Sequence, residues 1–82
     1  MKLQAYRYTS PEATFLVFPD NGRWGLSIND RFVADYETPE DAAYDVSAQN
    51  TGDTSWDALE DVDVPEQLQD WVLIPYNPAM AE

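Results

Sequence analysis

The sequence lacks the side chains that most often carry catalysis. It contains no histidine and no cysteine, so the commonest general base, the thiolate nucleophile and disulfide bonds are all absent. No glycine-rich run precedes a lysine that would bind phosphate groups. Sixteen acidic residues in a chain of 82 make close carboxylate pairs inevitable, so such pairs alone do not indicate acid–base catalysis. We therefore predict a protein that is not an enzyme and that uses no cofactor.

Basic residues are also few. Four lysines and arginines stand against sixteen acidic residues, which gives a net charge of -12. All four lie in the first 31 positions, whereas residues 32–82 contain thirteen acidic residues and none that is basic. Direct binding of DNA or RNA needs a basic surface, so this charge excludes it. A partner of opposite charge is expected instead.

Long hydrophobic runs are missing as well. No apolar stretch approaches the roughly 20 residues of a membrane span. The first residues also lack the pattern of a secretory signal, in which a positively charged region precedes an apolar one. We therefore expect a soluble, intracellular protein without membrane contact. Hydrophobic residues still make up 44% of the chain, enough for one modest core, so residues 1–82 are predicted to form a single domain.

Residues 1–36 have the pattern of an antiparallel β meander of about four strands. Residues 14–18 are apolar on both faces, which is typical of a central strand. Asn21 and Gly22 favour a tight hairpin. The next strand alternates, with Trp24, Leu26 and Ile28 on its inner face. The same alternation in the first strand predicts that Leu3 and Ala5 point to the core.

Residues 37–74 are predicted to form a helix followed by an acidic segment. Thr38 is suited to the N-cap and Pro39 to the first helical position. Asp41, three residues after Thr38, can serve as the acidic residue of a capping box. A helix should therefore run from Pro39 to about Ala48. A short helical turn around Trp56, capped by Thr54 or Ser55, should follow. Residues 75–82 are predicted to be a frayed tail. The fold class is therefore α+β, with one main helix on one face of a small antiparallel sheet and a short acidic helical or loop segment after it.

The aromatic residues are divided between two predicted roles. Six of them are expected in the core, namely Trp24, Trp56, Trp71, Phe15, Phe18 and Phe32. Tyr6, Tyr8 and Tyr44 fall opposite the predicted core faces. Tyrosines on a surface are frequent anchors of protein interfaces, so these three are candidate contacts with a partner.

Two resemblances bear on function. The pattern Gly22-Arg23-Trp24, then residues 36–46, then Ser55-Trp56-Asp57 and finally Pro65-x-x-Leu68-x-x-Trp71 resembles small bacterial domains of unassigned role. These residues are structural in kind, so this resemblance implies a fold and no chemistry. The short length, the extreme acidity and the missing cysteine and histidine resemble phage-encoded anti-CRISPR and other anti-defence proteins. That compositional resemblance implies an inhibitor of a bacterial defence protein that acts in the cytoplasm of the bacterial host cell.

The acidic half of the chain suggests how such an inhibitor would act. Carboxylates one helical turn apart lie about 6 Å from each other, which is of the order of the phosphate spacing in nucleic acids. A surface of this kind can occupy the basic groove that a nucleic-acid-binding protein, such as a CRISPR effector subunit, offers to phosphates. The candidate residues for contact with the partner are Glu37, Glu40, Asp41, Tyr44, Asp45, Asp53, Asp57, Glu60, Asp61, Asp63, Glu66 and Asp70.

Other interpretations of the acidity remain open. The protein could be an immunity or antitoxin-like protein that neutralises a basic toxin, or a structural accessory domain that acidity keeps soluble. A metal site is a further alternative, because the carboxylates between Asp53 and Asp63 are rich in oxygen ligands. Their spacing does not match the calcium-binding loop of an EF-hand, so no dedicated metal site is predicted.

Overall fold

A computed structural model describes residues 3–76, which form an antiparallel sheet and one main helix. The sheet has five strands in the order β4-β3-β2-β1-β5. The α+β class is therefore confirmed, and the predicted count of about four strands is low by one. The elements are β1 (Leu3–Thr9), β2 (Thr14–Asp20), β3 (Arg23–Ile28), β4 (Arg31–Tyr36), α1 (Pro39–Ala48), α2 (Thr54–Asp57), a 3₁₀ turn (Leu68–Asp70) and β5 (Val72–Tyr76).

The fifth strand changes the prediction for the end of the chain. β5 pairs with β1, and its register places Pro75 opposite Gln4 and Tyr76 opposite Leu3. The predicted frayed tail therefore does not include Pro75 and Tyr76, and the rest of that prediction, residues 77–82, lies outside the described residues. Pro75 is tolerated because β5 is an edge strand, where a missing N–H group need not break the ladder.

Short turns hold the meander in register. β2 and β3 are joined by Asn21 (φ 51°) and Gly22 (φ 82°), and β3 and β4 by Asn29 (φ 53°) and Asp30 (φ 67°). Two successive residues with positive φ match the right-handed twist of a hairpin, and asparagine, aspartate and glycine tolerate that conformation best. The turn chemistry predicted from the sequence is thus confirmed.

Helix α1 covers one face of the sheet and forms the core with it. The hydroxyl oxygen of Thr38 accepts a hydrogen bond from the Asp41 N–H (3.2 Å), and Pro39 opens the helix, as predicted. Ala42, Ala43 and Val46 are fully buried, and the two small alanines let the helix approach the sheet closely. The buried sheet residues of this core are Phe15, Val17, Leu26 and Ile28.

The prediction for the inner face of β1 is wrong. The register pairs Tyr6 with Val17 and Tyr8 with Phe15, so both tyrosines lie on the helix side. The Tyr6 ring lies 6.0 Å from Trp24 and the Tyr8 ring 5.8 Å from Trp71. The sequence did not reveal this because both faces of β1 carry large or apolar side chains beside polar ones, and only the covering helix decides which face becomes the core.

Two of the six aromatics predicted for the core lie elsewhere. Phe18 and Phe32 are on the opposite face of the sheet, which α1 leaves uncovered, and Phe32 is 60% exposed. A bulge in the β3–β4 pairing makes Val33 the extra residue of β4. Val33 packs against the core instead of Phe32. Within residues 3–76, none of the helices has the length and apolar character that crossing a membrane requires.

Candidate acidic partner-binding surface

The acidic segment, residues 58–71, runs back along helix α1. At the C-terminal end of α1, the side-chain amide of Gln49 donates hydrogen bonds to the carbonyl oxygens of Trp56 (2.9 Å) and Leu59 (2.8 Å). At the N-terminal end, Glu40 and Tyr44 line the same groove as residues 66–69. The segment therefore lies beside α1 in the opposite direction, and both carry acidic side chains.

Buried apolar residues attach this segment to the core. Val64 is 4% exposed and Trp71 is 5% exposed, and the indole N–H of Trp71 donates to the carbonyl oxygen of Pro65 (2.9 Å). Trp56 is also buried, and its indole N–H donates to the carbonyl oxygen of Val46 in α1 (2.9 Å). The wide spacing of these anchors leaves the intervening acidic residues in solvent.

Most of the predicted partner-binding residues are exposed on this part of the molecule. One row belongs to the start of α1, and a second row belongs to the acidic segment beside it. Eight of the eleven candidate carboxylates are exposed, namely Glu37, Glu40, Asp41, Glu60, Asp61, Asp63, Glu66 and Asp70. These two rows of exposed carboxylates, Glu37 to Asp41 at the start of α1 and Glu60 to Asp70 in the acidic segment, therefore carry the unburied negative charge of this part of the molecule.

A shallow groove separates the two rows near the start of α1. Its volume is about 480 Å³, and its polar walls carry Glu40, Asp41 and Glu66. Tyr44, which is 59% exposed, and the half-buried Leu68 add apolar surface between these carboxylates. Of the three tyrosines predicted to contact a partner, Tyr6 and Tyr8 pack against the core, and Tyr44 lies among the predicted acidic residues. An aliphatic stem with a cationic head, as in lysine or arginine, matches this combination.

Asp45 is less accessible than the other carboxylates of α1. It is half-buried and lies beside Tyr36, the last residue of β4. Burial raises the pKa of the Tyr36 hydroxyl, and the neighbouring Asp45 carboxylate raises that pKa further because it disfavours a second negative charge. Tyr36 therefore stays neutral beside the Asp45 carboxylate.

Asp53 is the N-cap residue of α2. Its carboxylate accepts hydrogen bonds from the N–H groups of Ser55 (2.9 Å) and Trp56 (3.4 Å) and lies 3.7 Å from the Arg31 guanidinium. Only 7% of the Asp53 side chain is exposed. The cap of this helix was predicted at Thr54 or Ser55, and it lies at Asp53. The sequence signal was present, because aspartate is a preferred N-cap residue and Asp53 directly precedes the helical turn.

Asp57 closes the loop in front of α2. Its two carboxylate oxygens accept hydrogen bonds from the Thr51 N–H (3.1 Å), the Thr51 hydroxyl (2.9 Å) and the Gly52 N–H (2.9 Å). Gly52 adopts the positive φ (94°) expected for the predicted turn. This carboxylate is engaged inside the chain, as that of Asp53 is, so neither favours contact with a partner.

Among residues 3–76, no arginine pairs with the exposed candidate carboxylates. Within the described residues, the ion pairs join Arg23 to Asp35 (3.0 Å) and Arg31 to Asp53 (3.7 Å). In the same part of the chain, no three acidic side chains are arranged to hold a metal ion. The acidic surface is therefore charged without an internal partner, which leaves its Coulombic attraction available to another molecule.

Comparison with protein-family models, with curated proteins and with solved structures finds no match to this chain.

Proposed function

We propose that this protein is a non-enzymatic inhibitor that binds a basic nucleic-acid-binding bacterial protein and occupies the site where nucleic acid would bind. A CRISPR effector subunit is the first candidate target. The observation that carries the proposal is the pair of acidic rows on α1 and on the segment beside it, eight exposed carboxylates that pair with no cation in the part of the chain that the structure describes.

The rows fit the way proteins hold nucleic acid. A groove that binds a duplex places lysine and arginine along both phosphate strands. Each strand carries one charge per 3.4 Å of axis, or about 3 to 4 charges over 10 to 15 Å. The carboxylates of the two rows are attached to a folded core, so little conformational entropy is lost when the partner binds. Tyr44 and Leu68 supply apolar contact at the centre of the surface.

Electrostatic binding of this kind has two kinetic consequences. Complementary charge accelerates association, and salt weakens it because the surface charges are screened within about 10 Å at 0.1 M ionic strength. We therefore expect a complex that forms rapidly at low salt and that loses affinity as the salt concentration rises. The loss should lie mainly in the association rate.

A competition experiment tests the proposal. A purified CRISPR effector complex is mixed with a fluorescently labelled target duplex, and the protein is titrated in while polarisation is recorded. We expect the duplex to be displaced at 50 mM salt and displaced less well at 300 mM. The triple variant Glu40→Gln, Asp41→Asn, Glu66→Gln removes three charges that line the groove and should raise the concentration for half displacement at least tenfold.

The matched control removes three charges elsewhere. Glu12→Gln, Asp20→Asn, Asp30→Asn gives the same net charge, and these residues lie in the meander and its turns. Asparagine tolerates the positive φ of Asp30 (67°), so the turn is preserved. Equal losses in both triple variants would show that only total charge matters, and displacement unaffected by the groove variant would refute the proposed surface.

A further inference from the structure

The face of the sheet turned away from α1, called the open face below, is unusually apolar. The strand registers place Ala5, Leu16, Phe18, Phe32, Ile74 and Tyr76 on it, together with Leu3 and Val72. Phe32 is 60%, Val72 56% and Leu3 37% exposed. A sheet with one solvated face normally alternates apolar and polar residues, so an apolar outer face departs from that pattern.

Aromatic rings pack against one another on this face. The Phe18 ring covers Gly25, where an added Cβ would come within 2.6 Å of the ring. Phe18 stacks on Tyr76 (5.5 Å, 26°) and meets Phe32 edge-on (6.3 Å, 65°). Ala5, beside Phe18 in the sheet, is fully buried although no helix covers it. The rings thus form a continuous row across the strands.

The open face is also the neutral face of a strongly acidic protein. The charged residues that the register places on it are Arg7, Arg23, Asp20 and Asp35, two of each sign, and Arg23 pairs with Asp35. The exposed candidate carboxylates belong to α1 and the acidic segment, on the helix side. Two molecules with a net charge of -12 repel each other least when their open faces meet.

From these observations we infer that a second copy of this chain covers the open face, so that two sheets pack face to face in a twofold dimer. Sheets packed this way lie about 10 Å apart with their side chains interdigitated. Five strands about 4.8 Å apart and about 20 Å long give a footprint of roughly 500 Å². This is below the roughly 800 Å² per partner of a standard interface, so the dimer should be weak, with a dissociation constant in the micromolar range or above.

Salt distinguishes this association from the proposed inhibition. The dimer joins two acidic molecules through apolar faces, so screening of their repulsion should strengthen it. Binding to a basic partner should weaken under the same change. The inference therefore stands or falls independently of the proposed function.

Sedimentation equilibrium of the full chain tests the dimer, over a range from 5 µM to 1 mM protein at 50 and 500 mM NaCl. We expect a monomer–dimer equilibrium whose dissociation constant falls with salt. Phe32→Asp places a like charge on each copy within the interface and should raise that constant more than tenfold. Tyr44→Asp is the matched control, because Tyr44 is 59% exposed and lies on the helix side.

Each outcome of these measurements either supports or overturns the inferred dimer. Loss of the dimer in Phe32→Asp but not in Tyr44→Asp supports the inference, provided that circular dichroism shows both variants folded. A wild-type protein that is monomeric up to 1 mM overturns it. A dimer that Phe32→Asp leaves intact, or assembly beyond a dimer, overturns the face-to-face arrangement. Backbone amide chemical shifts in NMR spectra give a further test. If the shifts that change with protein concentration lie on α1 rather than around Phe18 and Val72, the arrangement is also overturned.

Discussion

At the scale of single residues, the carboxylates of this protein differ in their contacts and exposure, although the sequence alone does not distinguish them. Asp53 and Asp57 accept backbone hydrogen bonds, and Asp45 lies beside Tyr36, whereas Asp41 and Glu66 border an open groove. Net charge therefore overstates how much of the acidity is available to a partner. A substitution must be assigned to one of these groups before its effect on binding can be interpreted.

Asp57→Ala should destabilise the fold. It removes the acceptor for the Thr51 N–H, the Thr51 hydroxyl and the Gly52 N–H, and Thr51 is only 6% exposed. Unsatisfied buried donors are costly, so we expect a loss of about 1–3 kcal/mol in the free energy of unfolding. Urea denaturation followed by tryptophan fluorescence measures it. Asp63→Ala, at an exposed site, should change stability by less than about 0.5 kcal/mol; similar losses in both variants would contradict the assigned role.

At the scale of elements, the junction after α1 decides where the acidic segment lies. Gln49 ends the helix in a left-handed conformation (φ 56°), and its N–H donates to carbonyl oxygens of Asp45 and Val46. The same residue's side chain then holds the backbone at Trp56 and Leu59. One residue thus ends the helix and turns the chain back along it.

Two substitutions separate these roles of Gln49. Gln49→Ala loses both side-chain hydrogen bonds and keeps a backbone conformation that disfavours alanine, while Gln49→Gly loses the bonds but relieves the conformation. We expect both to be less stable than wild type, with glycine about 1 kcal/mol more stable than alanine. Thermal denaturation of the three proteins gives the order. A glycine variant more stable than wild type would show that the two side-chain bonds contribute little.

Elements were predicted from the sequence better than their faces. Thr38 and Pro39 gave the start of α1, and Asn21 with Gly22 gave the first hairpin, because capping and turn chemistry are local. The inner face of β1 and the position of Phe32 could not be predicted in this way. Both depend on which sheet face the helix covers and on a bulge at Val33, and these are set by contacts between distant parts of the chain.

The candidate site shows the same division. Charge identified the acidic residues, and the periodicity of the predicted helix placed Tyr44 opposite its core face. It did not show that Asp53 and Asp57 are engaged in hydrogen bonds, although the cap position of Asp53 was visible in hindsight. Nor did it show that the segment returns along α1, because that path depends on Gln49 and on the burial of Val64 and Trp71.

At the scale of the whole molecule, charge is distributed unevenly between two sides. The helix side carries the two acidic rows, and the open face carries aromatic rings with balanced charge. The repulsion within the acidic rows opposes folding, since no cation within the described residues pairs with the exposed carboxylates there. Stability should therefore depend on ionic strength.

We expect the melting temperature to rise by about 5 °C between 10 mM and 500 mM NaCl, because screening of about 1 kcal/mol of repulsion shifts a domain of this size by about 4–8 °C. Differential scanning calorimetry at low protein concentration measures this without interference from association. The variant Glu40→Gln, Asp41→Asn, Glu66→Gln should gain less from salt. A melting temperature that falls or stays constant with NaCl would show that repulsion is not limiting stability.

The order of the elements along the chain keeps the proposed binding surface separate from the strands of the sheet. Everything between Tyr36 and Val72 lies between two strands at opposite edges of the sheet, β4 and β5, and this insert contains all the exposed candidate carboxylates. The sheet is completed by β1 and β5, which pair with each other from near the two ends of the described chain. Exposed acidic positions of the insert can thus be exchanged without altering a strand, so the charge pattern of this surface can change while the sheet stays the same.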